Sequence, residues 1–482
     1  LLPKIWPAVL VLGWILVAVA IGEGVMALFA LATGDGLADV FAGSAAMTAA
    51  TGGGCVLTTK GRPFELRFRD ATLLTVVSWF VVPAMAALPF LPEPVGLSVV
   101  DAYFEMVSGI TTTGSTVMAG LDTAPPSILL WRSTIQWLGG IGIIGLAIVI
   151  LPFLKIGGMQ LFRLESSDRS EKAIPRVRGI ALAVVRIYLV LTAACFLAYW
   201  MLGMTPFDAL NHAFTTLCTG GYSTHDASFG YFDSPALEWA GVVFMVSGAL
   251  PFLAYVRLLR AGTVRERVDL QAVAILVFLA AATAVLSLYL VAARDIALPV
   301  AFTKAAFNIV SIVTTTGYAS TDYLLWGAFS AGFFFVLTFV GGCTGSTSGG
   351  LKIFRFQVIG RMIGQHAGRV VYPHAVMPIR YGVHVVSAEQ VGSVGAFAFL
   401  YIAVFAVLSM ALSATGLDAE TSLSGVATAL GNAGPGIGAI IGPAGNFSTL
   451  PDMAKLVLSV AMILGRLEIL VVLVLFVPRF YR

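Results

Sequence analysis

The sequence predicts an all-α, polytopic membrane protein in which four helix–pore loop–helix repeats follow two N-terminal transmembrane helices. Three observations carry that prediction. The first is composition: hydrophobic residues make up 58% of the 482-residue chain and charged residues 11%, with a mean hydropathy of +0.93, whereas soluble globular chains carry roughly 25% charged residues. The second is a glycine-centred loop that recurs as Thr111-Thr112-Thr113-Gly114-Ser115, Cys218-Thr219-Gly220-Gly221-Tyr222, Thr314-Thr315-Thr316-Gly317-Tyr318 and, most loosely, Asn432-Ala433-Gly434-Pro435-Gly436. The third is the placement of Lys and Arg, which avoid the intervals 93–131, 204–256 and 381–454 that hold three of these loops.

The repeat sets the architecture. Aligned on Gly114, Gly221, Gly317 and Gly434, the copies each have a short, half-apolar segment opening thirteen residues earlier, at Asp101, Asp208, Lys304 and Thr421, and two of these segments begin Asp-Ala. Glycine reaches backbone angles that other residues avoid, so such a loop can turn carbonyls towards an axis, with Thr hydroxyls in support. A ring of those oxygens replaces the water shell of a dehydrated cation. A single Thr-Thr-Thr-Gly would equally suit a turn after a helix; four equivalent copies in one hydrophobic chain favour a pore lining.

Taken in order, residues 5–32 and 38–58 read as two apolar helices joined at Thr33-Gly34-Asp35-Gly36. The first apolar run is too long for a signal-peptide core and is read as a span. Glu23 inside it is expected to face protein. The repeats then use 70–92, 100–115 and 127–154; 179–203, 206–222 and 236–260; 269–292, 298–318 and 325 onward; and 387–415, 419–436 and 453–478. That makes ten full spans and four half-helices, with the domain divisions expected at 1–59 (two N-terminal helices), 60–160, 161–262, 263–368 and 369–482. A full span needs about 20 residues, and the half-helices fall short of that.

Charge placement orients the chain. Lys60, Arg62, Arg67 and Arg69, then Arg163, Arg169, Lys172 and Arg176, then Arg257, Arg260, Arg265 and Arg267 fall on the side opposite the loops. The positive-inside rule therefore puts both termini in the cytoplasm and the glycine loops outside, with Arg294 and Lys304 as outer exceptions. Asp101, Glu105, Asp208, Asp226, Asp233, Asp322 and Glu420 read as an acidic outer mouth that concentrates cations, or as ordinary loop solubility. Half-helices entering from outside also aim their partially negative carbonyl ends at the membrane centre.

A second feature lies in the third repeat, where Gly341, Gly342, Cys343, Thr344, Gly345, Ser346, Thr347, Ser348, Gly349 and Gly350 interrupt what should be a continuous returning helix. Five glycines break a helix, and irregular backbone at membrane depth is tolerated only against protein or a water-filled cavity. The stretch 341–350 is therefore expected to be a flexible plug below the loops. It is not a nucleotide-binding Walker loop, because Gly350 is followed by Leu351-Lys352-Ile353. Gly139, Gly140 and Gly142 suit close helix packing. Arg466, in an apolar context, must face a cavity or a partner: either beside the ion path, where it repels cations and helps shut the pore, or in an ion pair with another helix. Glu468, two residues on, does not share its helix face.

Other chemistry is thin. Cys55, Cys195, Cys218 and Cys343 form no CxxC, so no metal site or disulfide framework follows. His212 and His225 are isolated, and Cys218 with His225 lacks an orienting third group, so no enzyme is expected. Asn446-Phe447-Ser448 matches a glycosylation sequon, which matters only in a secretory pathway.

The four repeats, Gly139-Gly140-Ile141-Gly142, the stretch from Gly341 to Lys352, Gly434-Pro435-Gly436, Gly465-Arg466-Leu467-Glu468 and the runs Gly220 to Ser228 and Tyr231 to Pro235 together resemble the Trk/Ktr/HKT superfamily of potassium transporters, in particular its bacterial TrkH/TrkG membrane subunits. The resemblance covers the whole chain, including the two extra N-terminal helices. It implies a pseudo-fourfold pore within one chain of the bacterial inner membrane, with K⁺ held by backbone oxygens of Thr112, Thr113 and Gly114; Thr219, Gly220 and Gly221; Thr315, Thr316 and Gly317; and Asn432, Ala433 and Gly434. It also implies a homodimer in lipid and a cytosolic TrkA-like regulatory partner. Nucleotide would bind that partner, so this chain is expected to carry no organic cofactor and to bind no nucleic acid. Gly114, where relatives that prefer Na⁺ carry Ser, implies K⁺; the divergent fourth loop and Cys218 weaken strict selectivity over Na⁺. The alternative is a symporter coupling K⁺ to H⁺ or Na⁺, which inverted repeats would favour; these repeats share one polarity.

Overall fold

The computed structural model describes residues 5–62, 67–149, 173–260, 269–382 and 384–481. Among them are seventeen α-helices and one two-residue hairpin, β1 (Arg380–Tyr381) with β2 (His384–Val385), so the chain is all-α as the sequence predicts. α1 (Trp6–Thr33) and α2 (Ala38–Thr59) pack along their lengths. Gly13 and Gly52 set their approach, since a Cβ on either would sit 2.8 Å from the other's carbonyl oxygen. Glu23 is buried on α1, facing protein as expected.

There follow α3 (Phe68–Ala86), α4 (Val99–Ile110), α5 (Pro126–Val149), α6 (Ala173–Met201), α7 (Pro206–Leu217), α8 (Pro235–Ala249), α9 (Phe252–Arg260), α10 (Leu270–Arg294), α11 (Leu298–Val313), α12 (Ala328–Leu337), α13 (Ile353–Val371), α14 (Ala388–Ser413), α15 (Ala419–Gly431), α16 (Asp452–Arg466) and α17 (Ile469–Leu473). Of the expected domain divisions, the first coincides with the end of α2, the second and third lie outside the described residues, and the last falls in the final turn of α13.

Four helices are the half-helices: α4, α7, α11 and α15, of 12, 12, 16 and 13 residues. At a rise of about 1.5 Å per residue they cover about 18–24 Å, short of a hydrocarbon core of about 30 Å. Side-chain caps start three of them: Ser98 accepts from the Asp101 N–H, Thr205 from Asp208 and Asp418 from Thr421. The third half-helix has Pro near its first position instead and no capping side chain. Each is wedged between neighbouring helices: α4 against α5 and α16, α7 against α5 and α8, α11 against α8 and α12, α15 against α14 and α16. The returning helices come close through small residues, because a Cβ at Gly139, Gly248 or Gly465 would overlap or crowd the carbonyl of Ile110, Leu217 or Leu430, each the last residue or the last but one of a half-helix. Gly142, by contrast, faces open space.

Six described helices are long and apolar enough to cross a membrane, and two bent pairs are further candidates. Here the expected continuous spans need correcting. The span over 236–260 breaks by 91° between α8 and α9, and that over 453–478 by 105° between α16 and α17. Leu250 is extended ahead of Pro251, whose ring disfavours a helical predecessor. At the other corner Glu468 takes a left-handed backbone, φ 59°, while its carboxylate reaches Arg355 on α13 at 2.6 Å. The returning span of the third repeat is shortest of all: α12 has ten residues before the chain leaves helix.

Candidate functional site

The four glycine loops share one backbone conformation. The first and third of three successive residues are left-handed: Thr112 and Gly114 (φ 52° and 86°), Thr219 and Gly221 (53°, 76°), Thr315 and Gly317 (58°, 86°), Asn432 and Gly434 (53°, 95°). The residue between donates its N–H back to the half-helix in every copy: Thr113 to Ser108 O, Gly220 to Thr215 O, Thr316 to Ser311 O and Ala433 to Thr428 O, at 2.8–3.0 Å. A left-handed β-branched residue is strained, and three buried threonines hold that strain in equivalent places. Strain repeated in this way marks a site.

The loops also meet. A Cβ on Gly114 would overlap the carbonyl oxygen of Gly220; on Gly221, that of Thr316; on Gly317, that of Ala433 at 2.5 Å; and on Gly434 it would crowd that of Thr113 at 3.0 Å. Each loop thus presents a carbonyl to the glycine of the one before it, first to second to third to fourth and back to first, and the ring closes. All four glycines line a single cavity of about 80 Å³. All twelve loop residues singled out in the sequence belong to this ring, and Thr112, Thr113, Thr219, Thr315, Thr316, Asn432 and Ala433 are fully buried.

Side chains brace it. Gln136 on α5 donates to Gly220 O at 2.8 Å and accepts from Tyr222 N. The Ser115 hydroxyl donates to Gly434 O at 2.8 Å, and the Asn432 amide to Thr113 Oγ1 and Met462 O, both at 3.0 Å. Tyr318 meets the Thr215 and Thr216 hydroxyls, and Tyr222 donates to Glu105 O at 2.6 Å.

The acidic mouth is a partial correction, since most of these carboxylates are committed to loop structure. Glu105 is buried, ion-paired with Arg132 at 2.8 Å and bonded to Thr116 and to Val117 N. The Arg132 guanidinium lies 4.1 Å from the Tyr222 ring centroid. Asp101 meets Lys455 at 2.5 Å, Asp208 accepts from Thr205 and Thr224, Asp226 from Gly120 N and Leu121 N, and Asp322 from Leu324 N. Lys304, one outer exception, is paired with Glu238, and Arg294, the other, donates to Trp326 O. His225 joins Asp122 at 2.6 Å and stacks on Tyr231. That hydrogen bond holds the Asp122 carboxyl below the usual carboxylate range.

Stretch 341–350 lies directly against the ring, but it is not the loose plug expected. Its base is closed by Gly341 N–H to Leu351 O and by a bridge between Val340 and Leu351. Gly342 N bonds Ser348 Oγ, Cys343 N bonds Ala249 O, Thr344 N bonds the Gln271 side chain, Gly345 O accepts from Phe252 N, and Ser346 Oγ donates to Cys343 O. The Thr347 hydroxyl donates to Gly248 O and accepts from Thr219, Ser348 Oγ meets Thr315 Oγ1 at 3.1 Å, and Gly349 N donates to Thr315 Oγ1 at 2.7 Å. A Cβ on Gly349 would sit 2.5 Å from Gly431 O. Gly350 turns out at φ 65°. The stretch thus touches three of the four loops, and its own hydroxyls replace the lost helical hydrogen bonds. Arg466 donates to Thr347 O at 2.8 Å. No ion pair to it occurs among the described residues, and Glu468 is engaged by Arg355 instead.

A family model described as "TrkH: Cation transport protein" matches residues 37–480. The chain belongs to the TrkH family. It is 44% identical to the Trk system potassium uptake protein TrkI of Halomonas elongata over 98% of this chain and 96% of that one. It is 40% identical to the Trk system potassium uptake protein TrkH of Vibrio parahaemolyticus, over 95% of each. The crystal structure of the potassium transporter TrkH from Vibrio parahaemolyticus superposes with a TM-score of 0.91 at 36% identity, each chain covered completely. The TrkH relatives are named as transport proteins, and this family member is a multi-pass membrane protein.

Sequence reasoning missed the TrkH-family ring's braces. Gln136 was visible as the amide in the apolar run Ile135 to Ile144, and Arg132 as the first cation after a stretch free of Lys and Arg. Tyr222 and Tyr318 occupy the same step after their glycines. No local signal pointed to the reach of Asn432 across to Thr113.

Proposed function

We propose that this chain takes up K⁺ across the bacterial inner membrane through a channel-like pore. The closed ring of four equivalent loops is the single observation that carries the reading: carbonyls held at fixed positions replace the ion's hydration shell, and the braces keep them from collapsing onto a smaller ion. The filter is formed by residues 112–114, 219–221, 315–317 and 432–434. An inside-negative potential supplies about 2.3 kcal/mol per charge per 100 mV, so accumulation needs no hydrolysis in this subunit. Stretch 342–350 and Arg466 form the gate, with the filter outside and both termini in the cytoplasm. A TrkA-like nucleotide-binding partner on the basic inner face opens that gate, and the chain works as a homodimer.

The test is ⁸⁶Rb⁺ uptake into proteoliposomes, with Na⁺ competition, for the wild type and for a chain lacking residues 343–349. The deletion raises flux. Unchanged or lost flux in a folded protein refutes the gate. A reversal potential that follows the K⁺ Nernst potential supports a channel; one that also shifts with pH or Na⁺ replaces it with a symporter.

A further inference from the structure

A second cavity, partly open and of about 30 Å³, adjoins stretch 345–350 and is lined by none of the proposed filter residues. Its walls carry Lys352, Arg355, Arg466, Glu468 and Tyr401. Two of these are guanidiniums and one is a carboxylate, and the Lys352 amine donates to Ser348 O. Glu468 is spent on Arg355 through a 2.6 Å bond, and no carboxylate among the described residues pairs with Lys352 or Arg466. Arg355 and Arg466 are 1% and 3% exposed, and a guanidinium does not shed its proton. Uncompensated positive charge at this depth is costly.

The hydrogen bonds tell the same story. Arg355 Nε, Arg466 Nε, Arg466 Nη2 and Tyr401 OH are all buried without a protein partner, and all can donate. The four atoms belong to three residues on one small cavity. Arg355 is held over the Phe397 ring at 3.8 Å, and Arg466 is held by Thr347 O, so the donors are pre-oriented. Water would satisfy the donors but not the charge; an anion does both. A cavity holding a water needs at least about 10–15 Å³ on this measure, so the space is ample for one monatomic ion.

We propose that this cavity is a binding site for one chloride-sized monovalent anion, held by Arg355, Arg466, Tyr401 and Lys352, which supplies the counter-charge that lets these cations sit together beside the gating stretch. The ligand is the opposite in charge to the transported ion, and its site lies outside the filter.

The test is equilibrium binding of ³⁶Cl⁻ to the purified full-length chain in gluconate buffer, together with crystals grown in sodium bromide. Wild type binds one ion per protomer saturably, bromide gives an anomalous peak within bonding distance of Arg355, Arg466 and Tyr401, and chloride raises the melting temperature by linkage. Tyr401→Phe melts with wild type in gluconate but binds about tenfold more weakly, as expected for losing a hydrogen bond to a charged group. Absence of saturable binding to the folded wild type, bromide peaks only elsewhere, or a Tyr401→Phe chain that binds as tightly as wild type would each overturn the site. Because the readout is binding and not flux, its failure leaves the conduction reading untouched, and the reverse also holds.

Discussion

If the proposed filter is right, alanine at each ring glycine damages ion passage in an order set by the ring. All four positions are left-handed, which costs an ordinary residue about 1–2 kcal/mol. Beyond that shared cost, the new Cβ meets different obstacles. At Gly434 it lies 3.0 Å from Thr113 O, a contact relieved by a shift of a few tenths of an ångström. At Gly317 the oxygen of Ala433 is at 2.5 Å with the Pro435 ring behind at 3.1 Å. At Gly221 the carbonyl carbon of Thr316 is itself within 2.9 Å, so a coordinating carbonyl must be driven well out of place. Gly434→Ala therefore loses only the backbone term, roughly 5- to 30-fold in flux at about 1.4 kcal/mol per decade. Gly221→Ala and Gly114→Ala should lose more and should also admit Na⁺, because a displaced carbonyl no longer defines the cage. The assay is ⁸⁶Rb⁺ uptake with Na⁺ competition, normalised to folded protein by size-exclusion chromatography. Equal damage at Gly434 and Gly221, or wild-type flux in all four variants, would refute the ring.

The remaining expectations concern the braces and the gate. Glu105→Gln or Arg132→Gln alone leaves a buried charge unpaired and should cost about 3–5 kcal/mol, read as a lowered melting temperature in detergent, whereas the double change should cost less than either alone. Arg466→Gln removes a positive charge beside stretch 341–350 and the bond to Thr347 O, and on the proposed gating should raise resting ⁸⁶Rb⁺ flux; a lower flux from a folded variant contradicts that proposal. Asp122 is held below its ordinary range by the hydrogen bond from His225, so its stabilising effect is complete above the unfolded aspartate value of about 3.9 and is lost as pH falls through the lowered folded value. The gap in melting temperature between wild type and Asp122→Asn should accordingly close as pH falls below about 4.

Much of the fold was legible because it is written in local signals. Apolar length marks spans, the fixed thirteen-residue step back to Asp101, Asp208, Lys304 and Thr421 marks the half-helices, and glycine marks the bends. The two corners were not. Pro251 lay in plain view, yet a proline in an apolar run is compatible with a kinked span, and only the bond from Phe252 N to Gly345 O shows why the chain turns fully there. At Glu468 the turn is secured by Arg355, 113 residues away, which no periodicity reveals. The same limit explains the acids. Glu105 reads as a mouth carboxylate until Arg132 on the next helix is seen to claim it, because pairing across elements depends on which faces meet.

Stretch 341–350 shows most clearly why composition alone misleads. Five glycines and four hydroxyl residues argue for a broken helix, and the break is there, but the inference from broken to loose does not follow. Hydroxyl side chains that fail to support a helix are free to bond elsewhere, and here Thr347 and Ser348 do so with Gly248, Thr219 and Thr315. The glycines then serve close approach, with Gly349 against Gly431. On the proposed reading, a barrier held by several exchangeable hydrogen bonds to the glycine ring is firm at rest and opens by breaking polar contacts. Each net bond is worth about 0.5–1.5 kcal/mol, so the proposed opening needs to break only a handful of them. Opening of this kind should therefore depend weakly on temperature compared with gates closed by apolar packing, whose exposure would bring a large heat-capacity change.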